Sequence, residues 1–202
     1  MREVDIAVIG AGPTGLFAAY YAGFRGLSVA VVDALPEPGG QVTAMYPEKM
    51  IFDVAGLPGI KGRDLVANLV AQAAPYRPEY LLGRQAQTLS YLDGKPVVGL
   101  ADGERLHCGA VIITAGLGSF SPRPLPAAES FTGTGVRFFV PRLADLADQN
   151  VLIVGGGDSA FDWALALEPV ARSVTLVHRR DKFRAHAATV ARVQQLPVQI
   201  GR

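Results

Sequence analysis

Asp5-Ile6-Ala7-Val8-Ile9-Gly10-Ala11-Gly12-Pro13-Thr14-Gly15 is the stretch that decides the fold. Its first five residues form the short apolar run that a buried parallel strand needs, and they run straight into a Gly-x-Gly-x-x-Gly turn. Leu16-Phe17-Ala18-Ala19-Tyr20-Tyr21-Ala22 then reads as a helix closed near Gly23 and Gly26. Ser28-Val29-Ala30-Val31-Val32 reads as a second strand, stopping at Asp33. The whole is a strand–helix–strand unit of the expected size, about 30 residues. The same grammar returns later. Val151-Leu152-Ile153-Val154 is a strand, Gly155-Gly156-Gly157-Asp158-Ser159-Ala160 a turn and Phe161 to Glu168 a helix, and Ser173-Val174-Thr175-Leu176-Val177 closes the unit. The internal duplication predicts an α/β protein with two Rossmann-like dinucleotide-binding domains, the second incomplete.

Composition narrows the function classes. Lys+Arg 19 against Asp+Glu 18 in 202 residues leaves a net charge of +1, without the concentrated basic footprint of a nucleic-acid binder. Hydrophobic residues at 50% and charged ones at 18% exclude intrinsic disorder. No apolar run approaches the roughly 18 residues of a membrane span. Met1-Arg2-Glu3-Val4-Asp5 lacks a secretory layout, and the single cysteine, Cys108, can form neither an internal disulfide nor a Cys-x-x-Cys pair. A cytoplasmic setting is expected, with no nucleic-acid or membrane partner. Cys108 leads into a buried strand and is read as a packed core thiol.

Between the two units, Pro36 to Gly59 is rich in Gly, Pro and aromatics without periodicity, a loop long enough to suggest function. Arg63 to Pro75 reads as an amphipathic helix with Leu65, Val66, Leu69 and Val70 on one face. Tyr80 to Leu106 reads as a β-meander with turns at Asp93-Gly94 and Asp102-Gly103, and Ala110 to Thr114 as a separate buried strand. The Ser121-Pro122-Arg123-Pro124-Leu125-Pro126 stretch reads as a linker.

A glycine turn between strand and helix removes side chains where a pyrophosphate must approach, and it aims free helix N–H groups at the anion. In the first unit Asp33 lies where a carboxylate would hold a ribose hydroxyl, so an adenine dinucleotide without a ribose phosphate is expected. The second unit keeps a Gly-x-Gly-x-x-Ala form at Gly155, Gly157 and Ala160, but its second strand ends on His178-Arg179-Arg180 instead of an acid. Arginine pairs bidentately with phosphate, which favours a 2′-phosphate and thus NADP(H). Opposite ribose chemistry at the two turns predicts FAD at the first and NADP(H) at the second. The predicted domains are residues 1–118, binding FAD and carrying the meander at about 80–107, and residues 119–202, binding NADP(H).

Longer motifs carry a family resemblance. Leu35-Pro36-Glu37-Pro38-Gly39-Gly40-Gln41, Tyr46-Pro47-Glu48-Lys49, Asp53-Val54-Ala55-Gly56, Gly155 to Ala164 and His178-Arg179-Arg180-Asp181-Lys182-Phe183-Arg184-Ala185-His186 are similar to ferredoxin–NADP reductases of the thioredoxin-reductase-like type, across essentially the whole chain. The resemblance implies a flavoprotein passing electrons from NADPH through FAD to ferredoxin or flavodoxin, as a homodimer. It implies flavin contacts from Gly10, Gly12, Pro13, Thr14, Gly15, Asp33, Gly40, Gln41, Tyr46, Asp53, Ala86 and Phe120. Tyr46 would stack near the isoalloxazine, and Ala86 would offer its backbone to the adenine. Gly155, Gly157, Asp158, Ser159, Ala160, His178, Arg179, Arg180 and Arg184 would take NADP(H). The family more often has Glu where this chain has Asp33.

Two departures qualify the resemblance. A thioredoxin reductase carries Cys-x-x-Cys after its second fingerprint, and this chain has none, so electrons would leave directly from the flavin. In the resembled family the chain also returns after the nucleotide domain, with a Gly-Asp motif and a final helix, and nothing after Ala185 supplies that part. Two further readings therefore stand beside the reductase: a non-catalytic fragment that binds nucleotide without turnover, and a related reductase of a quinone or disulfide.

Overall fold

The computed structural model describes residues 2–118, 124–131 and 135–201. It divides into two compact units, Met1–Pro141 and Arg142–Arg202.

The first unit is built on a six-stranded sheet in the order β5-β2-β1-β8-β7-β6. Its strands are β1 (Arg2–Ile9), β2 (Val29–Asp33), β5 (Glu79–Leu82), β6 (Ala86–Leu92), β7 (Lys95–Leu100) and β8 (Arg105–Ile113). A two-residue ladder joins β3 (Met50–Ile51) to β4 (Ile60–Lys61). β5, β2, β1 and β8 run parallel, whereas β6 and β7 are antiparallel. Val29 to Val32 are four consecutive buried residues, as expected of a parallel strand covered on both faces. Helix α1 (Pro13–Phe24) turns Gly15, Leu16, Ala19, Ala22 and Gly23 inward at helical spacing, all but one of them small, so the helix lies close to its neighbours. A short helix α2 (Gln41–Met45) breaks the Pro36–Gly59 stretch, and α3 (Gly62–Ala73) follows. On α3, Leu65 and Val66 are buried as the periodicity predicts, and Leu69 and Val70 are half-buried at the edge of the same cluster.

The meander differs from the sequence expectation. β5 is no part of it, because it pairs in parallel with β2 through Ala30–Glu79 to Asp33–Leu82. The expected strand at Ala110 to Thr114 is not separate either; it is the second half of β8. No turn residue except Gly109 stands between Leu106 and Ala110, and Gly109 fits within the strand because a Cβ there would meet the Asp5 carbonyl at 2.9 Å. One strand thus pairs with β7 through Arg105, Leu106 and His107 on one side and with β1 from Leu106 to Ile113 on the other. Cys108 is buried in this strand, and burial raises its thiol pKa. That is the inert core thiol the sequence suggests.

The second unit has a three-stranded parallel sheet, order β11-β10-β9. Its strands are β9 (Asn150–Val154), β10 (Ser173–Val177) and β11 (Gln199–Gly201), with helices α4 (Asp158–Leu167) and α5 (Ala187–Gln194). Sequence reasoning found β9, α4 and β10 but not α5 and β11. Phe161, Ala164, Leu167, Val174, Leu176 and Val193 are buried in this unit. No helix among the described residues is long and apolar enough to cross a membrane.

Candidate nucleotide-binding sites

At the first turn the three glycines have three different physical reasons. Gly10 sits at φ +107°, and a Cβ there would lie 2.5 Å from the Thr114 carbonyl oxygen. A Cβ on Gly15 would fall 1.8 Å from the Gly10 carbonyl oxygen, so only glycine lets α1 begin this close to β1. Gly12 is the contrast: its φ is ordinary at −68°, and a Cβ would meet nothing within 4 Å. The protein's own packing does not require glycine there. The space above Gly12 is open, which is the cradle a pyrophosphate needs. α1 starts on Pro13, which has no N–H, so the amides of Thr14 and Gly15 are the first its N-terminus can present.

Asp33, at the end of β2, accepts hydrogen bonds from the Ala11 N–H (2.6 Å) and the Leu35 N–H (2.8 Å). Its carboxylate braces the glycine turn and still has lone pairs for a ribose hydroxyl. Thr114, which the sequence reading did not single out, donates from Oγ1 to the Gly10 carbonyl at 2.9 Å and to Ile9 at 3.0 Å. The loop carrying Gly40 and Gln41 is tied to the same turn, since the Gly39 N–H donates to the Ala11 carbonyl at 2.8 Å. Gly40, at φ +56°, would place a Cβ 3.1 Å from the Gly12 Cα, and the Gln41 amide lies against Gly116. Gly10, Gly12, Gly15, Asp33, Gly40 and Gln41 therefore converge.

Tyr46, at the end of α2, is half-buried against Leu16, Val42 and Val66, with the Lys49 ammonium 5.8 Å from its ring centroid. Ala86 opens β6 and packs on the core, and the preceding turn is fixed to Asp33 by the Arg84 N–H donating to its carbonyl at 2.9 Å. Asp53 is exposed, in the segment between β3 and β4. Phe120 lies outside the described residues.

The second turn repeats the design. A Cβ on Gly155 would come within 3.0 Å of Ala160 Cβ, whereas Gly157, like Gly12, has nothing within 4 Å. Gly156 carries the His178 ring, with a Cβ there meeting it at 2.5 Å. The segment from His178 to His186 folds back over the turn. The Arg184 and Ala185 N–H groups donate to the Gly156 carbonyl at 2.8 and 3.2 Å, and the Asp158 carboxylate accepts from the His186 N–H at 2.8 Å. Phe183 anchors the segment by packing edge-on against Phe161, with centroids 4.8 Å apart. Asp158 therefore holds the start of α5 to the turn, a role that spacing alone does not reveal. Arg179, Arg180 and Arg184 are exposed, and none has a carboxylate partner among the described residues. Their charge is free for an anion. Ser159 is exposed in the first turn of α4.

Comparison with known proteins agrees with this construction. The chain is 78% identical over 99% of its length to a ferredoxin–NADP reductase of Salinispora tropica, covering 62% of that protein. It is 52% identical over 93% of its length to a ferredoxin–NADP reductase of Thermus thermophilus, covering 57% of it. It thus spans about three-fifths of the length of the relatives it matches. Among solved structures, Lactococcus lactis thioredoxin reductase superposes with a TM-score of 0.80 at 26% identity, covering 98% of this chain and 63% of that one. The pattern of pyridine nucleotide-disulphide oxidoreductases matches residues 4–196. With both glycine turns inside that span, the chain belongs to the pyridine nucleotide-disulphide oxidoreductase family.

Proposed function

We propose that the chain forms the nucleotide-binding part of a flavoprotein that passes electrons from NADPH through FAD to ferredoxin or flavodoxin, working in the cytoplasm as a homodimer. The observation that carries this reading is the pair of open glycines, Gly12 and Gly157, set beside opposite ribose-end groups: the Asp33 carboxylate in one unit, Arg179 and Arg180 in the other. When bound, the nicotinamide gives hydride and the flavin passes electrons on singly. The chain's own residues bind and orient. The Gly10–Gly15 turn and the α1 N-terminus hold the FAD pyrophosphate, Asp33 takes the ribose, and Gln41 and Tyr46 face the flavin end. The Gly155–Ala160 turn takes the second pyrophosphate, and Arg179, Arg180 and Arg184 take the 2′-phosphate. Cys108, the single cysteine of the 202 residues, is buried and far from the role of a redox pair.

The test supplies the chain with excess FAD and NADPH and compares acceptors. Ferredoxin or flavodoxin should be reduced faster than thioredoxin, a small disulfide or a quinone, and NADPH should outperform NADH. A quinone or disulfide preferred over both protein acceptors would overturn the reading.

A further inference from the structure

Glu48 is the one charged residue buried in the described parts of the chain, at 8% exposure. It follows α2 by three residues and pairs with Arg63 at 2.5 Å and with Lys61 at 3.5 Å. Both partners belong to the start of α3, Lys61 as its cap and Arg63 in its first turn. A carboxylate is removed from water at high cost unless it is paired, so this arrangement persists only while the two segments stay together.

The backbone repeats the same junction. The Gly62 N–H donates to the Lys49 carbonyl at 3.0 Å, and the Arg63 N–H to the Pro47 carbonyl at 2.8 Å. Gly62 has no side chain where one would stand 2.8 Å from both the Tyr46 carbonyl oxygen and Val42. At its other end, α2 is tied to the glycine turn by the Gly39 N–H on the Ala11 carbonyl. The helix that carries Gln41 at its start and Tyr46 at its end is thus fastened at both ends. The near fastening is backbone on backbone, and the far one closes on a buried charge.

We infer that Glu48 is a positioning residue: its ion pair with Arg63 and Lys61 clamps α2 on α3 and fixes where Tyr46 and Gln41 stand above the first glycine turn. The inference rests on the flavin reading for its purpose, but the clamp itself can be tested without flavin. A surface ion pair would contribute little. This one differs because the Glu48 carboxylate is buried and meets two cations from the start of α3.

The experiment uses the full chain and three variants: Glu48→Gln, which keeps volume and removes charge, Arg63→Gln, and the two combined. Hydrogen–deuterium exchange is followed by peptide in the absence of nucleotide. In either single variant, amides between residues 41 and 63 should exchange on the order of tenfold faster, with Gly10–Gly15 and the Arg142–Arg202 unit unchanged. The double variant should exchange no faster than Glu48→Gln alone, because losing the carboxylate already removes its pair with Arg63. Unchanged exchange in Glu48→Gln, or additive effects in the double variant, overturns the clamp.

The second readout is the visible band of FAD at saturation. A displaced Tyr46 should move that band in Glu48→Gln relative to the unsubstituted chain. Lowered affinity or stability with an unmoved band shows a merely structural role and overturns the positioning claim. If FAD produces no band change even in the unsubstituted chain, the flavin reading fails, and the exchange data still decide the clamp.

Discussion

Substituting the glycines of the first turn one at a time should separate folding from binding, because the structure gives each a different neighbour. In Gly15→Ala the new Cβ would stand 1.8 Å from the Gly10 carbonyl oxygen. An ordinary contact is about 3.5 Å, so α1 or the turn must move by roughly 1.7 Å. Overpacking of that kind costs about 3 kcal/mol, and at ~2–4 °C per kcal/mol the melting temperature of the first unit should fall by roughly 6–12 °C. In Gly12→Val the backbone is already at φ −68° and ψ 178°, and the side chain enters open space. The only folding cost is the change at a helix N-cap, about 1 kcal/mol or less. Binding is different, because the side chain fills the place of the pyrophosphate. Losing two charge-assisted hydrogen bonds costs about 3 kcal/mol or more, a drop in FAD affinity of more than a hundredfold. Thermal unfolding followed by circular dichroism, with FAD binding by calorimetry, reads both quantities. A Gly12→Val protein that melts as early as Gly15→Ala, or that binds FAD as the unsubstituted chain does, would show that Gly12 does not face the pyrophosphate.

Neutralising Arg179 and Arg180 together to Gln should weaken NADPH binding by about 1.5–3 kcal/mol and leave NADH binding nearly unchanged, measured by parallel calorimetric titrations; equal losses would mean that neither arginine meets the 2′-phosphate. Hydrogen bonds from Arg84 and then Arg2 hold the Glu104 carboxyl below its ordinary pKa, Asp5 is held down by Ser28, and Asp148 by Arg172. A depressed folded-state pKa contributes stability that is full above the unfolded value and is lost as pH falls through the folded one, so urea midpoints should drop on acidification, and Glu104→Gln should flatten that drop. β8 beyond His107 and all of β9 each lack a strand on one side among the described residues, and Ile113 and Leu152 beside them are 72% and 61% exposed. The chain should therefore self-associate in sedimentation runs, and Ile113→Lys with Leu152→Lys should reduce the association without lowering the melting temperature.

What was legible in the sequence was whatever local rules dictate. The glycine turns, the flanking buried strands and the amphipathic face of α3 follow from spacing and burial, and Asp33 from its distance to Gly12. The strand from Arg105 to Ile113 looks locally like two, because its start closes a hairpin with β7 while nearly its whole length pairs in parallel with β1, and no local signal says that one strand serves both. β5 reads as part of the meander because sequence neighbours usually pair, yet its Leu81 is buried at the far side of the sheet beside β2. α5 and β11 carry apolar patterns too weak to mark them in the sequence. Among the site residues, Thr114 and the Asp158–His186 bond were invisible because they join positions roughly 104 and 28 apart in the chain through single hydrogen bonds. Glu48 stood inside a recognised motif, but burial of its carboxylate is a tertiary fact.

One chain with two distinct nucleotide sites of opposite ribose chemistry should bind two different nucleotides at once. Calorimetric titration of the purified chain with NADP⁺, before and after saturation with FAD, tests it most directly. One NADP⁺ should bind per chain with affinity unaffected by FAD, and one FAD per chain, lost in Gly12→Val and indifferent to Arg179→Gln. Competition between the two nucleotides for a single site, or FAD binding that survives Gly12→Val, would contradict it.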